Sequence, residues 1–141
     1  MRRTLSASIE VPVRFNEADP LGIVWHGHYI RYFEDGREAF GAKYGLTYLD
    51  FYKNGLVTPI VSVNCHFRKP LRYGDTVRVE ATYVDCPAAK IHFEYKLINV
   101  GTGELTATGD SVQVMLDKND LSLLWNIPPF LEQWKKTCEL T

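Results

Sequence analysis

One stretch of this chain has the periodicity of a long helix, and most of the rest alternates like strand. From about His28 to Tyr44, the residues Tyr29, Phe33, Gly36, Phe40 and Tyr44 recur at helical spacing. Arg31, Glu34, Asp35 and Glu38 fill the opposite face. Gly36 and Gly41 each weaken a helix by about 1 kcal/mol relative to alanine. That cost predicts a face pressed closely on another backbone. Gly45, just past Tyr44, suits a C-cap. Seventeen residues make a rod of about 25 Å at about 1.5 Å per residue, long enough to fill the concave side of a curved sheet.

The flanking sequence supplies that sheet. Ala7, Ile9, Val11, Val13 and Phe15 alternate with Ser8, Glu10, Pro12 and Arg14. Pro12 lacks a ladder donor, which predicts an edge or bulge there. Residues 46–56 read as a mixed connection. From Val57 onward, Val57, Pro59, Val61, Val63, Cys65 and Phe67 share one face. Val77 to Tyr83 and Ile91 to Leu97 alternate likewise, with turns at 70–75, 86–89 and 101–103. The run from Leu105 to Leu116 changes phase, which predicts a bulge near Gly109. Pro128-Pro129 open a short terminal helix, from Phe130 to about Thr137. The layout is one strand, the long helix, then four strands in hairpin succession. Such strands are antiparallel, and a helix on one face of them gives an α+β layer architecture. The uncovered face and edges favour dimerisation.

Bulk properties narrow the function classes. At 141 residues the chain is one domain, 1–141. A net charge of −1 lacks the basic excess of a nucleic-acid binder. The apolar runs fall well short of the ~20 residues that span a bilayer. The start, MRRTLSASIE, has no apolar signal core. Three scattered cysteines then point to reduced thiols and a cytoplasmic protein.

For chemistry, the chain has no Gly-x-Ser-x-Gly elbow. Cys65 and His66 are neighbours, but in a strand they point to opposite faces. His26-x-His28 has no third ligand nearby, so no metal is expected. Glu34 and Arg37, at i and i+3, suit a helix ion pair. Arg68, Lys69 and Arg72 cluster at a strand end, where they suit either a solvated turn or phosphate contacts. Asp19 remains. It precedes a helix N-terminus, where amides point outward and the dipole is positive. Spacing alone fits a turn or capping Asp more readily than a catalyst.

A further pattern runs through these residues. Arg14-Phe15, Asp19-Pro20, Gly22-Ile23-Val24, His26, Tyr29, Phe33-Glu34 and Arg37 occur in order, followed by Thr58 to Ser62, Phe67, Pro70-Leu71 and Gly74-Asp75. The set resembles hotdog-fold acyl-CoA thioesterases, in the 4-hydroxybenzoyl-CoA thioesterase-like branch that includes Tol–Pal-associated enzymes. The resemblance implies a long central helix wrapped by a curved antiparallel sheet of about five strands. It implies homodimers paired into homotetramers, with the active site at the subunit interface. It implies an acyl-CoA substrate, with coenzyme A part of that substrate and no separate cofactor. Asp19 then matches the catalytic carboxylate, as nucleophile or general base, and His26 stands beside it. The amides of His26 and Gly27 become oxyanion donors. Gly22, Tyr29, Pro59, Ile60, Val61, Ser62, Arg68 and Lys90 become substrate-binding residues. Two other readings share this scaffold: a thioesterase acting on acyl carrier protein, and a non-catalytic acyl-thioester binding module.

Overall fold

The computed structural model describes residues 4–140. The helical run forms α1, His28–Tyr44, with the bounds that its periodicity predicts. It ends where Gly45 turns left-handed at φ 73° and donates its N–H to the Gly41 carbonyl. Tyr29, Tyr32, Phe33, Gly36 and Phe40 bury one side of α1. The sheet beneath it comprises β1 (Ser6–Pro12), β3 (Ile60–Phe67), β4 (Thr76–Val84), β5 (Lys90–Asn99) and β6 (Leu105–Val114). Phe33 stacks on Tyr95 at 4.5 Å, and Phe40 meets Phe93 edge-on at 4.9 Å. Two glycines set the closeness of this contact. A Cβ on Gly36 would lie 2.6 Å from Val79 Cγ1, and one on Gly109 would lie 2.6 Å from the Phe33 ring. Gly41 meets backbone instead, since its Cβ would lie 2.7 Å from the Leu46 carbonyl oxygen.

The strand order differs from a hairpin succession. It is β1-β4-β5-β6-β3, all antiparallel. β3 does not pair with β4; it crosses to the far edge and pairs with β6. The turn at 70–75 is therefore the end of a crossover: Val24 N–H donates to Leu71 O at 2.7 Å, and Val13 N–H donates to Asp75 O at 2.9 Å. The run from Val57 is also broken. β2 (Leu56–Val57) leaves the main sheet and pairs with β7 (Leu116–Asp117). Thr58-Pro59 separates β2 from β3, because Pro59 has no N–H to continue a ladder. Residues 46–56 are not merely connection. Thr47 and Asp50 form a capping box for α2, Tyr48–Lys53.

No bulge lies at Gly109, which pairs in register with both Cys65 and Tyr95. The register shifts at Leu97/Ile98 instead, where Thr106 and Ala107 are both buried and Thr106 Oγ1 donates to Leu97 O at 2.9 Å. A second irregularity lies between Ile60 and Ser62. The terminal helix α3, Pro129–Thr137, starts with proline at its first position, as the sequence predicts. Its Trp134 packs on Phe40 and Tyr83, and Trp134 Nε1–H donates to the Tyr44 carbonyl at 2.7 Å. That bond satisfies one of the orphan carbonyls at the end of α1. Lys135, also buried, pairs with Asp85 at 2.8 Å and donates to the Cys86 carbonyl. Among the described residues, no helix is long and apolar enough to cross a membrane.

Candidate active site

The chain from β1 to α1 folds back on itself around Asp19. Phe15–Glu17 make one 3-10 turn. Ala18 then bridges to Val24, and Asp19 N–H donates to Ile23 O at 2.8 Å. The tip is Pro20-Leu21-Gly22, closed by Gly22 N–H donating to Asp19 O at 2.9 Å. Gly22 adopts φ +79°, a conformation that side chains resist. Asp19 Oδ1 accepts the Leu21 N–H at 2.8 Å, so the ordinary Asx-turn use of aspartate is present. Its Oδ2 takes no hydrogen bond among the described residues. The turn thus holds the carboxylate and leaves one oxygen available.

The start of α1 lies at the other end of the same hairpin. Gly27 is the N-cap, and no side chain caps it. The N–H groups of His28 and Tyr29 turn back to Trp25 O and His26 O. Those of His26 and Gly27 donate to nothing among the described residues, which leaves two amides free at the positive end of the helix. A Cβ on Gly27 would meet the exposed Trp25 ring, which would have to shift to admit it. The His26 ring is exposed, 5.0 Å from Trp25 and 6.3 Å from Phe67. Tyr29 is buried, edge-on to Phe67 at 4.9 Å. Cys65 sits nearby on the helix-facing side of β3, and burial pushes its thiol up to about 11. His66 points out on the opposite face, so the two form no dyad. His28 turns its Nδ1 to Arg31 Nη2 at 3.0 Å rather than towards His26.

Sequence reasoning passed over Glu17. It is 1% exposed, the most deeply buried carboxylate among the described residues. Oε1 accepts the Arg14 N–H at 2.7 Å and the Tyr32 hydroxyl at 3.0 Å. Oε2 accepts Arg31 Nη2 at 2.8 Å. Burial acts to raise its carboxyl. The Arg14 amide, the Tyr32 hydroxyl and the charges of Arg31 and Arg14 together outweigh that and hold it below the ordinary 4.5. The sequence did carry a signal: Arg31 and Tyr32 follow Glu17 at the separation a loop and one helix turn require. Periodicity cannot report a contact across a loop.

The remaining residues divide between the two ends of β3. Asp19, Gly22, His26, Gly27 and Tyr29 gather near its Phe67 end, where Arg68 also leaves the strand. Pro59, Ile60, Val61 and Ser62 lie at the other end, about 23 Å away at ~3.3 Å per residue. Lys90 is at that far end too, aligned with Val114 beside Gln113, the partner of Ile60. The chain by itself therefore does not bring Arg68 and Lys90 together. Ser62 pairs with Val112 and faces away from the helix, whereas Val61 falls in the register irregularity between Ile60 and Ser62 and is 58% exposed. Lys69 pairs with Glu104 of the β5–β6 turn at 3.7 Å. Glu34 and Arg37 form no ion pair with each other. Both line a cavity of about 480 Å³ at the Ile60 end. Leu46, Leu49, Phe51, Ile91 and Phe93 give it apolar walls, and Thr58 and Gln113 lie at its edge. None of Asp19, Gly22, His26 or Gly27 lines it.

Comparison with known proteins places the chain in a family. Residues 13–135 match the thioesterase-like superfamily. The chain belongs to that family. It is 36% identical over 109 residues to YneP of Bacillus subtilis, whose name provisionally makes it an acyl-CoA thioesterase; the match covers 77% of this chain and 78% of YneP. It is 28% identical over 126 residues to a 1,4-dihydroxy-2-naphthoyl-CoA hydrolase of Thermosynechococcus vestitus, covering 89% and 85% of the two chains. The crystal structure of a DHNA-CoA thioesterase from Staphylococcus aureus superposes with a TM-score of 0.84 at 25% identity, covering 96% of this chain and 92% of that one. The fold is thus the hotdog thioesterase fold, α+β, and the enzyme class is thioester hydrolase.

Proposed function

We propose that this enzyme is an acyl-CoA thioesterase in which Asp19 is the reacting carboxylate. The observation that carries this is the hairpin leading into α1, which leaves Asp19 Oδ2 available near its tip and the amides of His26 and Gly27 free where its far leg enters the helix. Water and the thioester yield a carboxylic acid and free coenzyme A. The carboxylate acts either on the carbonyl carbon directly, forming an anhydride that water then opens, or by taking a proton from the attacking water. In both routes the carbonyl oxygen gains negative charge, and the two free amides are its donors. His26 lines the same opening. Coenzyme A is part of the substrate, and the chemistry asks for no cofactor or metal. The ordered motif from Arg14 to Arg37 supports a place in the 4-hydroxybenzoyl-CoA thioesterase-like branch.

We further infer that two chains complete the site. β3 pairs with β6 on one side only, and its other edge is open, with Val61 58% and Phe67 53% exposed. An open edge with apolar flanks is a template for another strand. If two copies pair through β3 about a two-fold axis, the strands run antiparallel. The Phe67 end of one then lies beside the Ile60 end of the other. Asp19, His26 and Arg68 of one protomer meet the cavity and Lys90 of its partner, so the acyl group has an apolar pocket and the nucleotide phosphates have cations. Pairing of such dimers into a tetramer through the outer sheet face is the further assembly expected.

The test is a panel of acyl-CoA thioesters with thiol-release detection, run on the wild type and on Asp19→Asn. Hydrolysis by the wild type and its collapse in a folded Asp19→Asn protein are expected. Equal turnover by both would remove Asp19 from the role.

A further inference from the structure

Glu17 presents a physical question of its own. A carboxylate out of water is costly unless its charge is paired and its oxygens are hydrogen-bonded. A buried ion pair of this kind is often no more stabilising than well-packed apolar residues of similar volume. What it does provide is fixed geometry, because each bond has a required length and direction. Of the three bonds to Glu17, the one from Arg14 closes its own 3-10 turn, and the two from Arg31 and Tyr32 join parts of the chain that local structure leaves independent. Arg14 is on the segment leaving β1, and its N–H is held at 2.7 Å. Arg31 and Tyr32 are on the first turns of α1, held at 2.8 Å and 3.0 Å. Arg31 is oriented in turn by His28 Nδ1 at 3.0 Å. The Glu17 carbonyl accepts the Trp25 N–H at 3.0 Å, which fixes the far leg of the hairpin.

Both legs of the Asp19 hairpin are thereby tied to one buried residue, and that residue is tied to the helix that presents the free amides. Among the described residues, no other side chain of the loop bonds to the side chains of α1. The bonds at Asp19 itself, to Ile23, Leu21 and Gly22, stay within the hairpin. They shape it without setting where it sits against α1.

We propose that Glu17 is the positioning residue of this active site. Through Arg31 and Tyr32 it sets the distance between the Asp19 carboxylate and the amides of His26 and Gly27, and it touches no substrate. The proposal rests on the reading of Asp19 as the reacting carboxylate. Glu17→Gln keeps the shape but loses the charge and sets an amide N–H₂ against the Arg31 guanidinium. Tyr32→Phe keeps the carboxylate and the ring and removes a single bond.

The test combines steady-state kinetics on the thioester panel, normalised to folded protein, with amide hydrogen exchange. A misplacement of about 1 Å is enough to lower turnover on the order of 100-fold, so kcat of Glu17→Gln should fall about 10- to 100-fold. KM should move by less than about threefold, since the residue makes no contact with substrate. Tyr32→Phe should show a smaller fall in the same direction. The amides of Asp19 and Gly22 should exchange faster in both variants while those of Val79 and Ala81 in β4 stay protected. A residue that only stabilised the fold would speed exchange throughout and leave kcat per folded molecule unchanged. The proposal is overturned if kcat of both variants stays within about twofold of wild type, or if exchange at Asp19 and Gly22 does not change. Should Glu17→Gln fail to fold, Tyr32→Phe decides alone. If the wild type hydrolyses no thioester, the functional reading fails, and hydrogen exchange still decides whether Glu17 holds the hairpin.

Discussion

At the Phe67 end of β3 the chain supplies its own order. Glu17 is enclosed, the Asp19 hairpin closes on itself, and the α1 N-terminus presents two amides. At the Ile60 end there is an apolar cavity with Glu34, Arg37 and Glu38 at its wall, and a strand edge without a partner. One end has the turn-held Asp19 and two free helix amides; the other has the cavity. The same strand carries both, about 23 Å apart at ~3.3 Å per residue. A two-fold axis at the open edge brings unlike ends together and yields two equivalent sites from one sequence.

Asp19→Asn breaks the first end most directly. Loss of a positioned acid–base or nucleophilic carboxylate should lower thiol release by about 10²- to 10⁴-fold, with the far-UV spectrum and melting temperature retained. The division between the two ends is tested by mixing. Thr58→Trp fills the cavity and leaves Asp19 intact, so each variant alone should be inactive. Co-refolded in equal amounts, the two should regain about one quarter of wild-type activity, because half the dimers are mixed and each of those holds one unmutated site. No recovery above the separate variants would show that each site lies within one chain.

The next effect is on stability. Gly109→Ala forces a methyl into the Phe33 ring, where it would lie at 2.6 Å, and overpacking of this kind should lower unfolding free energy by about 1–3 kcal/mol in urea titrations. A smaller effect depends on pH. Glu17 is held below its ordinary 4.5 in the folded chain, so its contribution is present above about that pH and fades as pH falls through the folded value. The stability gap between wild type and Glu17→Gln should therefore be widest near neutrality and narrow in acid; Arg14 and Arg31 face Glu17 as cations, and Asp35, a like charge whose carboxyl is raised by burial and in part by Glu17, offsets part of the gap. The smallest effect is expected at Cys65→Ala. A thiol raised to about 11 is a poor nucleophile, so turnover per folded molecule should stay within about twofold of wild type.

Several features were legible before any coordinate. The spacing of Tyr29, Phe33, Gly36 and Phe40 placed α1 to the residue, and Gly45 marked its end. Alternation located β1, β4 and β5, and the ordered motif around Asp19 pointed to the family. Other features were misread for one common reason. The Gly109 bulge was inferred from where apolar residues change phase, yet Ser111 and Gln113 are the buried ones, and Val112 turns outward. Hydrophobicity stood in for burial and failed where polar residues line the interior. α2 was missed because six residues carry too little periodicity, although Thr47 and Asp50 held its capping signal.

What the sequence alone determined is therefore local: which segments are helix or strand, where they stop, and that a carboxylate, Asp19, stands in a turn ahead of a helix. Those properties depend on neighbours within about one or two turns, so a linear reading captures them. Tertiary structure decided the rest. β3 lies at the edge beside β6 because strand pairing is set by contacts across the whole chain, not by order along it. Glu17 is enclosed only because Arg31 and Tyr32 return to it after the loop. The residues around Asp19 and those around Ile60 fall at opposite ends because β3 has a direction and a length, and these decide which residues can meet.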